Sequence, residues 1–288
     1  MTTGFPVFEI QAKPRRMSWL ALSWVLFALG IGLYWRESVA RHRENPDDRV
    51  VPVLDQLARG VRDSVMNPPE EDDDGQAAGQ AWGTRLSHSM LWKDTAASSR
   101  RFAISVALLV PAVLLGLHIG MFPWIGALFL RFVLFFDKIV ALSLLPILFI
   151  AFGIGELSKI MLIVIGVAPT IILDTINLTK SVPREQVVKG FTLGASDAGV
   201  AYRIVLKQIL PRVINGIRLN LKPLMLFLFA GEMIASTDGL AYRIALMRRH
   251  MGMDIIIPYV LWVALLLFLV DAGLRLANRK MHPWFREA

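Results

Sequence analysis

The side chains able to do acid–base or metal chemistry are few and widely separated in this sequence. It contains five histidines and no cysteine, and the histidines lack metal-ligand spacing, so we expect no metal site. Glu232 lies within an apolar segment, where an ionisable residue either marks a transport path or pairs with another charge. Glu156 and Lys159 are three residues apart at the start of a predicted helix and are placed to pair with each other.

A polar segment containing GFTLGASDAG is organised as a mechanical element rather than a reactive one. Pro183 suits the first turn of a helix, where its missing N–H would have no partner, and Glu185 follows at the positive end of the helix dipole. Gly194 can adopt the left-handed backbone that ends this helix, and Ser196 can cap the next one. We expect that second helix to end near Pro211. The pattern predicts a rigid elbow facing water; the alternative is an ordinary amphipathic loop lying on a membrane.

Composition places the chain in a membrane. Of its 288 residues 55% are hydrophobic and 19% charged, and the mean hydropathy is +0.53. Soluble domains carry about 25% charged residues, whereas a membrane span needs roughly 20 mostly apolar ones. The net charge of +8 fits basic residues that flank spans on the cytoplasmic side and contact anionic lipid, rather than nucleic acid binding.

We therefore predict an all-α polytopic membrane protein with six transmembrane helices. Residues 1–16 form a basic cytoplasmic segment, and residues 17–35 form the first span. A signal peptide is the rival interpretation of this span, but its apolar run is too long for a signal core. Later spans are expected at about 102–122, 139–152, 157–173, 219–235 and 255–277.

The predicted loop at 36–101 lies on the periplasmic or extracellular side. Apolar residues at helical spacing predict a short amphipathic helix near residues 52–66, and the acidic run at 70–74 is interpreted as a solvated loop. Basic residues near both chain ends put both termini in the cytoplasm, because positive charge collects on that side. The elbow then faces the cytoplasm.

The stretch LGASDAGVAYRIVLKQILPRVINGIRLNL resembles the conserved cytoplasmic loop of binding-protein-dependent ABC import permeases. Upstream LSLLPILFIAFGIGELSKIMLIVIGVAPTI and downstream GEMIASTDGLAYRI resemble spans of the nitrate, sulfonate and taurine branch of that family. The resemblance covers roughly residues 91–285. VPREQVVKGFTLGAS, MDIIIPYV and HPWF also resemble permeases associated with urea carboxylase systems.

The resemblance implies a type I ABC importer permease fold, with residues 102–288 as the transmembrane domain and 174–216 as the cytoplasmic coupling loop. The chain would work in the bacterial inner membrane as a homodimer. A periplasmic or lipoprotein solute-binding protein would deliver a small polar solute, either nitrate-, sulfonate- or taurine-like or urea- or guanidine-like. The implied ATPase-coupling residues are Glu185, Val188, Lys189, Gly190, Gly194, Ala195 and Ser196, while Glu232 is a candidate for the translocation path.

Coupling would depend on partner ATPase subunits that bind ATP and Mg²⁺. The phosphate-binding pattern G-x-x-x-x-G-K-[ST] is absent from this sequence, so we predict that the chain is not itself an enzyme and holds no cofactor. Val188, Lys189 and Gly190 stand where the family has Glu-Ala-Ala. Lys189 can meet an acidic groove on the ATPase, or Glu185 can replace the missing glutamate from one turn earlier; both interpretations stay open.

An ATP-independent secondary transporter or channel is the alternative function, and a signalling or scaffold membrane protein is a third. Secondary transporters favour inverted repeats and ionisable residues at mid-membrane. The sequence shows no such repeat, and its charges cluster at the ends of spans. A scaffold would use the elbow for docking alone.

Overall fold

The computed structural model describes residues 16–45, 50–66 and 89–285, with the side chains of its first helix described from residue 22. All regular elements within these ranges are helical, which confirms the predicted all-α class. The predictions for residues 1–15 and for the acidic run at 70–74 lie outside the described residues.

The helices follow one another with short connections. They are α1 (Arg16–Glu44), α2 (Leu54–Met66), α3 (Met90–Leu108), α4 (Val110–Met121), α5 (Pro123–Phe136), a 3₁₀ turn (Ala141–Leu144), α6 (Leu145–Phe152), α7 (Glu156–Lys180), α8 (Arg184–Thr192), α9 (Asp197–Leu219), α10 (Leu221–Ala235), α11 (Leu240–Arg249) and α12 (Met253–Met281).

Three stretches of the described chain are long and apolar enough to cross a membrane: Met90–Met121, Glu156–Lys180 and Met253–Met281. Two bent pairs meet the same test together, α5 with the following turn and α6 at 85°, and α9 with α10 at 43°. The described helices therefore supply up to five crossings on these criteria. The number of six remains a prediction, because it also needs α1.

Two predicted boundaries differ from the structure. Helix α3 begins at Met90, so the boundary drawn between residues 101 and 102 falls inside a helix rather than at the end of a loop. Helix α9 continues through Pro211 to Leu219 instead of stopping there. Pro211 is buried, and its carbonyl accepts a hydrogen bond from Asn278 Nδ2 at 3.0 Å. Packing against α12 thus keeps the proline inside a helix, as neighbouring helices do in membrane proteins.

The main apolar core lies where α4, α7, α9 and α10 meet. Its members include Leu117, Ile163, Val205 and Leu224, each at most 1% exposed. Helices α4 and α7 approach closely, since a Cβ at Gly116 would lie 2.7 Å from the Ile172 carbonyl oxygen. Small residues allow such close contact between membrane helices. These four helices form a packed unit directly beneath the elbow.

Helix α2 is the amphipathic helix that the spacing predicts, and it lies at the end of the molecule opposite the elbow. A side chain at Gly60 would clash with the Asp254 carbonyl at the start of α12. The Tyr34 hydroxyl of α1 donates to the Pro52 carbonyl oxygen at 3.0 Å, which holds the second half of α1 against the chain just before α2. Most of the described apolar side chains of α1, such as Trp24, are exposed.

Candidate functional site

The elbow turns on Gly194, whose φ is +80°. The N–H of Ala195 donates to the Gly190 carbonyl oxygen at 3.1 Å, and the N–H of Gly194 donates to that of Phe191 at 2.9 Å. This pair of bonds is a Schellman motif, which satisfies the last carbonyls of α8 and favours glycine at the left-handed position. The predicted glycine stop is confirmed.

The second arm of the elbow begins at the predicted cap. Ser196 has extended backbone angles, and its hydroxyl oxygen accepts a hydrogen bond from the Gly199 N–H at 3.2 Å. The chain then forms a π-helical turn over Val200–Val205 before continuing as an α-helix. Turns of this kind are rare and occur often at functional sites.

The elbow is fastened to the transmembrane core. Gly190 is buried, and a Cβ there would lie 2.7 Å from Ile204 Cδ1, so α8 packs directly on the π-helical turn. Val200 and Val205 of that turn are fully buried in the main core. A load applied to α8 therefore meets packed helices rather than a flexible loop.

Large apolar side chains are exposed on the tip of the elbow. Leu193 is 88% exposed, and Val188 and Phe191 are also largely in solvent. Beside them is an open cleft of about 690 Å³, whose walls include Leu193, Tyr202 and Arg203. Exposed apolar surface rimmed by polar groups marks a site that contacts another protein or a membrane surface. The tip of the elbow is therefore a contact surface rather than a solvated loop.

All seven predicted coupling residues lie in α8 or in the glycine turn that follows it. Five of them are exposed and available to a partner, whereas Ala195 is half-buried and Gly190 is buried. Sequence reasoning missed Leu193, although a leucine between a helix end and its glycine stop has no helix face to bury it. The five exposed residues are Glu185, Val188, Lys189, Gly194 and Ser196.

An ionic cluster centred on the buried Arg101 lies at the opposite end of the molecule. Arg101 of α3 is 2% exposed and donates to both carboxylate oxygens of Glu156, at 2.6 and 2.8 Å. It also donates to Glu232 at 2.9 Å and forms an ion pair with Asp238. Lys159 binds Glu156 at 3.0 Å, which confirms the predicted local pair.

Glu232 is fully buried inside this cluster. Besides Arg101, its carboxylate accepts hydrogen bonds from the Ser98 hydroxyl at 2.7 Å and the Ala241 N–H at 3.1 Å. The contacts favour structural pairing over the predicted role on the translocation path, because the side chain offers a solute no exposed surface in this subunit. Buried carboxylates need such partners to offset desolvation.

A second buried ion pair adjoins the cluster. Asp94 accepts hydrogen bonds from Arg243 Nε at 3.0 Å, from the Tyr259 hydroxyl at 3.2 Å and from the Gly239 N–H at 3.1 Å. Burial disfavours the charged guanidinium of Arg243, but the adjacent Asp94 carboxylate raises its pKa above the usual value. The two groups of charges join α3, α7, α10, α11 and α12 at this end.

The sequence carries a signal for these buried pairs. Polar residues recur along α3 at helical spacing, at Asp94, Ser98, Arg101 and Ser105, and all four are buried. Such a stripe on one face of an otherwise apolar helix indicates a polar contact inside the protein. The predicted span at about 102–122 starts one residue too late and leaves Arg101 outside it.

The chain matches a known protein family over most of its length. The sequence model described as "Binding-protein-dependent transport system inner membrane component" matches residues 79–283. The taurine transport system permease protein TauC of Escherichia coli (strain K12) is 29% identical over 198 residues, covering 68% of this chain and 72% of that protein. A putative aliphatic sulfonates transport permease protein, SsuC of Escherichia coli (strain K12), is 27% identical over 50% of this chain and 54% of its own.

A third protein of similar sequence comes from Methanocaldococcus jannaschii. A putative ABC transporter permease protein of Methanocaldococcus jannaschii is 29% identical over 184 residues, covering 64% of this chain and 68% of its own length. The family match spans most of the chain and includes the elbow and the ionic cluster. The chain therefore belongs to the binding-protein-dependent transport system inner membrane components, and it is the permease subunit of an ABC importer that works with ATPase subunits and a solute-binding protein.

Proposed function

We propose that the elbow formed by residues 183–205 is the surface on which the partner ATPase docks and through which it drives transport. The observation that carries this proposal is the 88% exposure of Leu193 on a turn whose next segment is buried in the core. An exposed leucine on a fixed support is suited to fill a pocket in a partner. ATP hydrolysis belongs to that partner, and this chain supplies the moving pathway.

Replacing Leu193 with aspartate tests the docking surface. Loss of a central apolar anchor costs about 2 kcal/mol or more, so we expect Leu193→Asp to weaken ATPase binding roughly 30-fold or more. The measurement is titration of purified ATPase onto the permease in lipid nanodiscs. Leu193→Met keeps the apolar contact and is expected to bind as the natural protein does. Equal affinity for the aspartate and methionine variants would contradict the proposal.

We infer that two copies of this chain form the pathway in a bacterial inner membrane, with the elbow and both termini in the cytoplasm. This arrangement needs α1 as a further crossing, which places the N-terminus at the elbow end. The hydrogen bond from the Tyr34 hydroxyl to the Pro52 carbonyl supports it, because it holds the later part of α1 beside α2 at the opposite end. The exposed apolar residues of α1 and α12, such as Trp24 and Phe268, then contact lipid. Native mass spectrometry of the complex should give two permease chains for two ATPase chains.

For the solute, we propose a small sulfonate of the taurine class. The support is the similarity to permeases whose names specify taurine and aliphatic sulfonates. The test is uptake of labelled taurine by the complete complex with its binding protein, in competition with ethanesulfonate, nitrate, urea and guanidine. Competition by nitrate, urea or guanidine but not by ethanesulfonate would refute the sulfonate assignment and leave the coupling proposal intact.

ATP dependence in the same assay separates the importer from the alternative function. We expect uptake to require ATP and both partner proteins, because the permease has no energy source of its own. Uptake by the permease chain alone, without ATP, would instead indicate a secondary transporter or channel.

A further inference from the structure

We propose that the hydrogen bond between Tyr202 and His118 is the positioning contact through which the elbow controls the transmembrane helix α4. This inference rests on the proposed docking function of the elbow and identifies the side chains that pass its movement into the membrane. Tyr202 lies in the π-helical turn of α9, and His118 lies 84 residues earlier, near the end of α4.

The geometry fixes the roles of the two side chains. The Tyr202 hydroxyl oxygen lies 2.8 Å from His118 Nε2, and His118 Nδ1 lies 2.6 Å from the Leu114 carbonyl oxygen. A carbonyl can only accept a hydrogen bond, so Nδ1 carries a proton and donates it to Leu114. In the tautomer with Nδ1 as the protonated nitrogen, Nε2 accepts from the tyrosine hydroxyl. The ring also stacks on Phe122, with centroids 5.9 Å apart. The histidine ring is thus held by a hydrogen bond at each nitrogen and by its stack on Phe122.

Tyr202 also belongs to the docking side. It is 40% exposed and lines the cleft beside Leu193, while its backbone neighbour Ala201 is 1% exposed. One side chain therefore borders the surface that the ATPase covers and bonds directly to a transmembrane helix. A displacement of the elbow moves the hydroxyl, and His118 moves with it or the bond breaks.

Helix α4 passes this displacement on because it is packed closely against α7. A Cβ at Gly120, two residues after His118, would lie 2.8 Å from the Thr179 side chain. Gly116, two residues before it, meets Thr175 at 2.7 Å in the same way. Close packing leaves no room for α4 to move independently, since packed interiors transmit strain. The contact therefore positions two helices.

The bond itself adds little to stability. A partly exposed hydrogen bond contributes about 1 kcal/mol net to folding, so its removal leaves the protein folded. A purely structural role would change the melting temperature slightly and nothing else. A positioning role changes the amount of solute moved per ATP hydrolysed, and this ratio is the readout that separates the two.

The test uses the complete importer reconstituted in liposomes with its ATPase and binding protein. Tyr202→Phe removes the donor, and His118→Phe removes the acceptor while keeping an aromatic ring against Phe122. We expect each to lower the solute moved per ATP roughly three- to ten-fold, in keeping with the loss of one hydrogen bond. The double variant is expected to be no worse than either single one. Tyr242→Phe, on α11 at the opposite end, is the matched control and should leave the ratio unchanged.

Three results would overturn the proposal. If Tyr202→Phe moves as much solute per ATP as the natural protein, the contact is not part of the coupling path. If the losses of the two single variants multiply in the double variant, the two side chains act independently of each other. Loss of bound ATPase in both variants makes these residues part of the docking surface. The Leu193→Asp titration decides the docking role separately: weakened ATPase binding there, with a natural ratio in Tyr202→Phe, refutes this contact alone.

Discussion

Arg101 shows how a single side chain can fasten several membrane helices. It is 2% exposed and binds three carboxylates, from Glu156, Glu232 and Asp238. Taking charges out of water costs several kcal/mol per ion. The cluster offsets that cost because its positive and negative charges nearly balance and its members fill one another's remaining hydrogen-bond positions. Each side chain of the cluster therefore depends on the others.

Replacing Arg101 with methionine should destabilise the permease strongly. Methionine fills a similar volume but leaves the fully buried Glu232 without its cation, and breaking a buried pair in this way costs about 3–5 kcal/mol. We expect a large fall in the melting temperature of the purified protein in detergent. Arg100→Met is the matched control, because Arg100 is 68% exposed and 3.7 Å from Glu156, and exposed pairs contribute at most about 1 kcal/mol. Similar losses in both variants would contradict a special role for the buried arginine.

At this scale the sequence predicts local contacts and misses distant ones. Gly194 and Ser196 were correctly assigned because a helix stop and a cap depend on residues within a few positions. The Glu156–Lys159 pair was predicted for the same reason. The partners of Arg101 are 55 to 137 residues away, and a pair of arginines before an apolar run is also the usual appearance of a charged flank.

The elbow is the element whose geometry matters most. Gly194→Pro should separate ATP hydrolysis from transport, because proline fixes φ near −65° where the turn needs +80°. Proline also lacks the N–H that donates to Phe191. We expect the spans to insert normally and the solute moved per ATP to fall about ten-fold or more, which reconstituted transport assays measure.

The control for this turn is Gly194→Asn. Asparagine tolerates left-handed backbone better than other residues with a side chain, and no atom lies within 4 Å of the position its Cβ would occupy. Its transport should remain close to natural. Unchanged uptake by the proline variant would show that the shape of this turn does not matter for coupling.

Among the elements, packing explains where sequence rules failed. Pro211 predicts a helix end by local chemistry, but contacts with α12 keep it inside α9. Helix α3 begins in a stretch that looks like part of a polar loop, because its polar face is turned into the ionic clusters. Both errors come from partners that lie far away in the sequence, whereas the amphipathic helix near residues 52–66 was predicted from its own spacing.

The whole molecule has two functional ends. The elbow lies at one end with its apolar tip exposed, and the ionic clusters close the other end beside α2 and the start of α12. The predicted helical class and family could be obtained from the sequence, because hydropathy and a run of separated motifs carry them. The bends of 85° between α5 and α6 and of 43° between α9 and α10 could not be predicted from the sequence, since they arise from contacts between helices.

Cysteine labelling tests which end faces the cytoplasm. The natural sequence has no cysteine, so a single introduced thiol reports its own accessibility without background. Lys189 and Arg249 are both exposed and lie at opposite ends. In intact spheroplasts a membrane-impermeant maleimide should label Arg249→Cys at once and Lys189→Cys only after permeabilisation. The reverse pattern would place the elbow outside, beyond reach of any ATP-hydrolysing partner, and labelling of both from one side would contradict the alternating course of the helices.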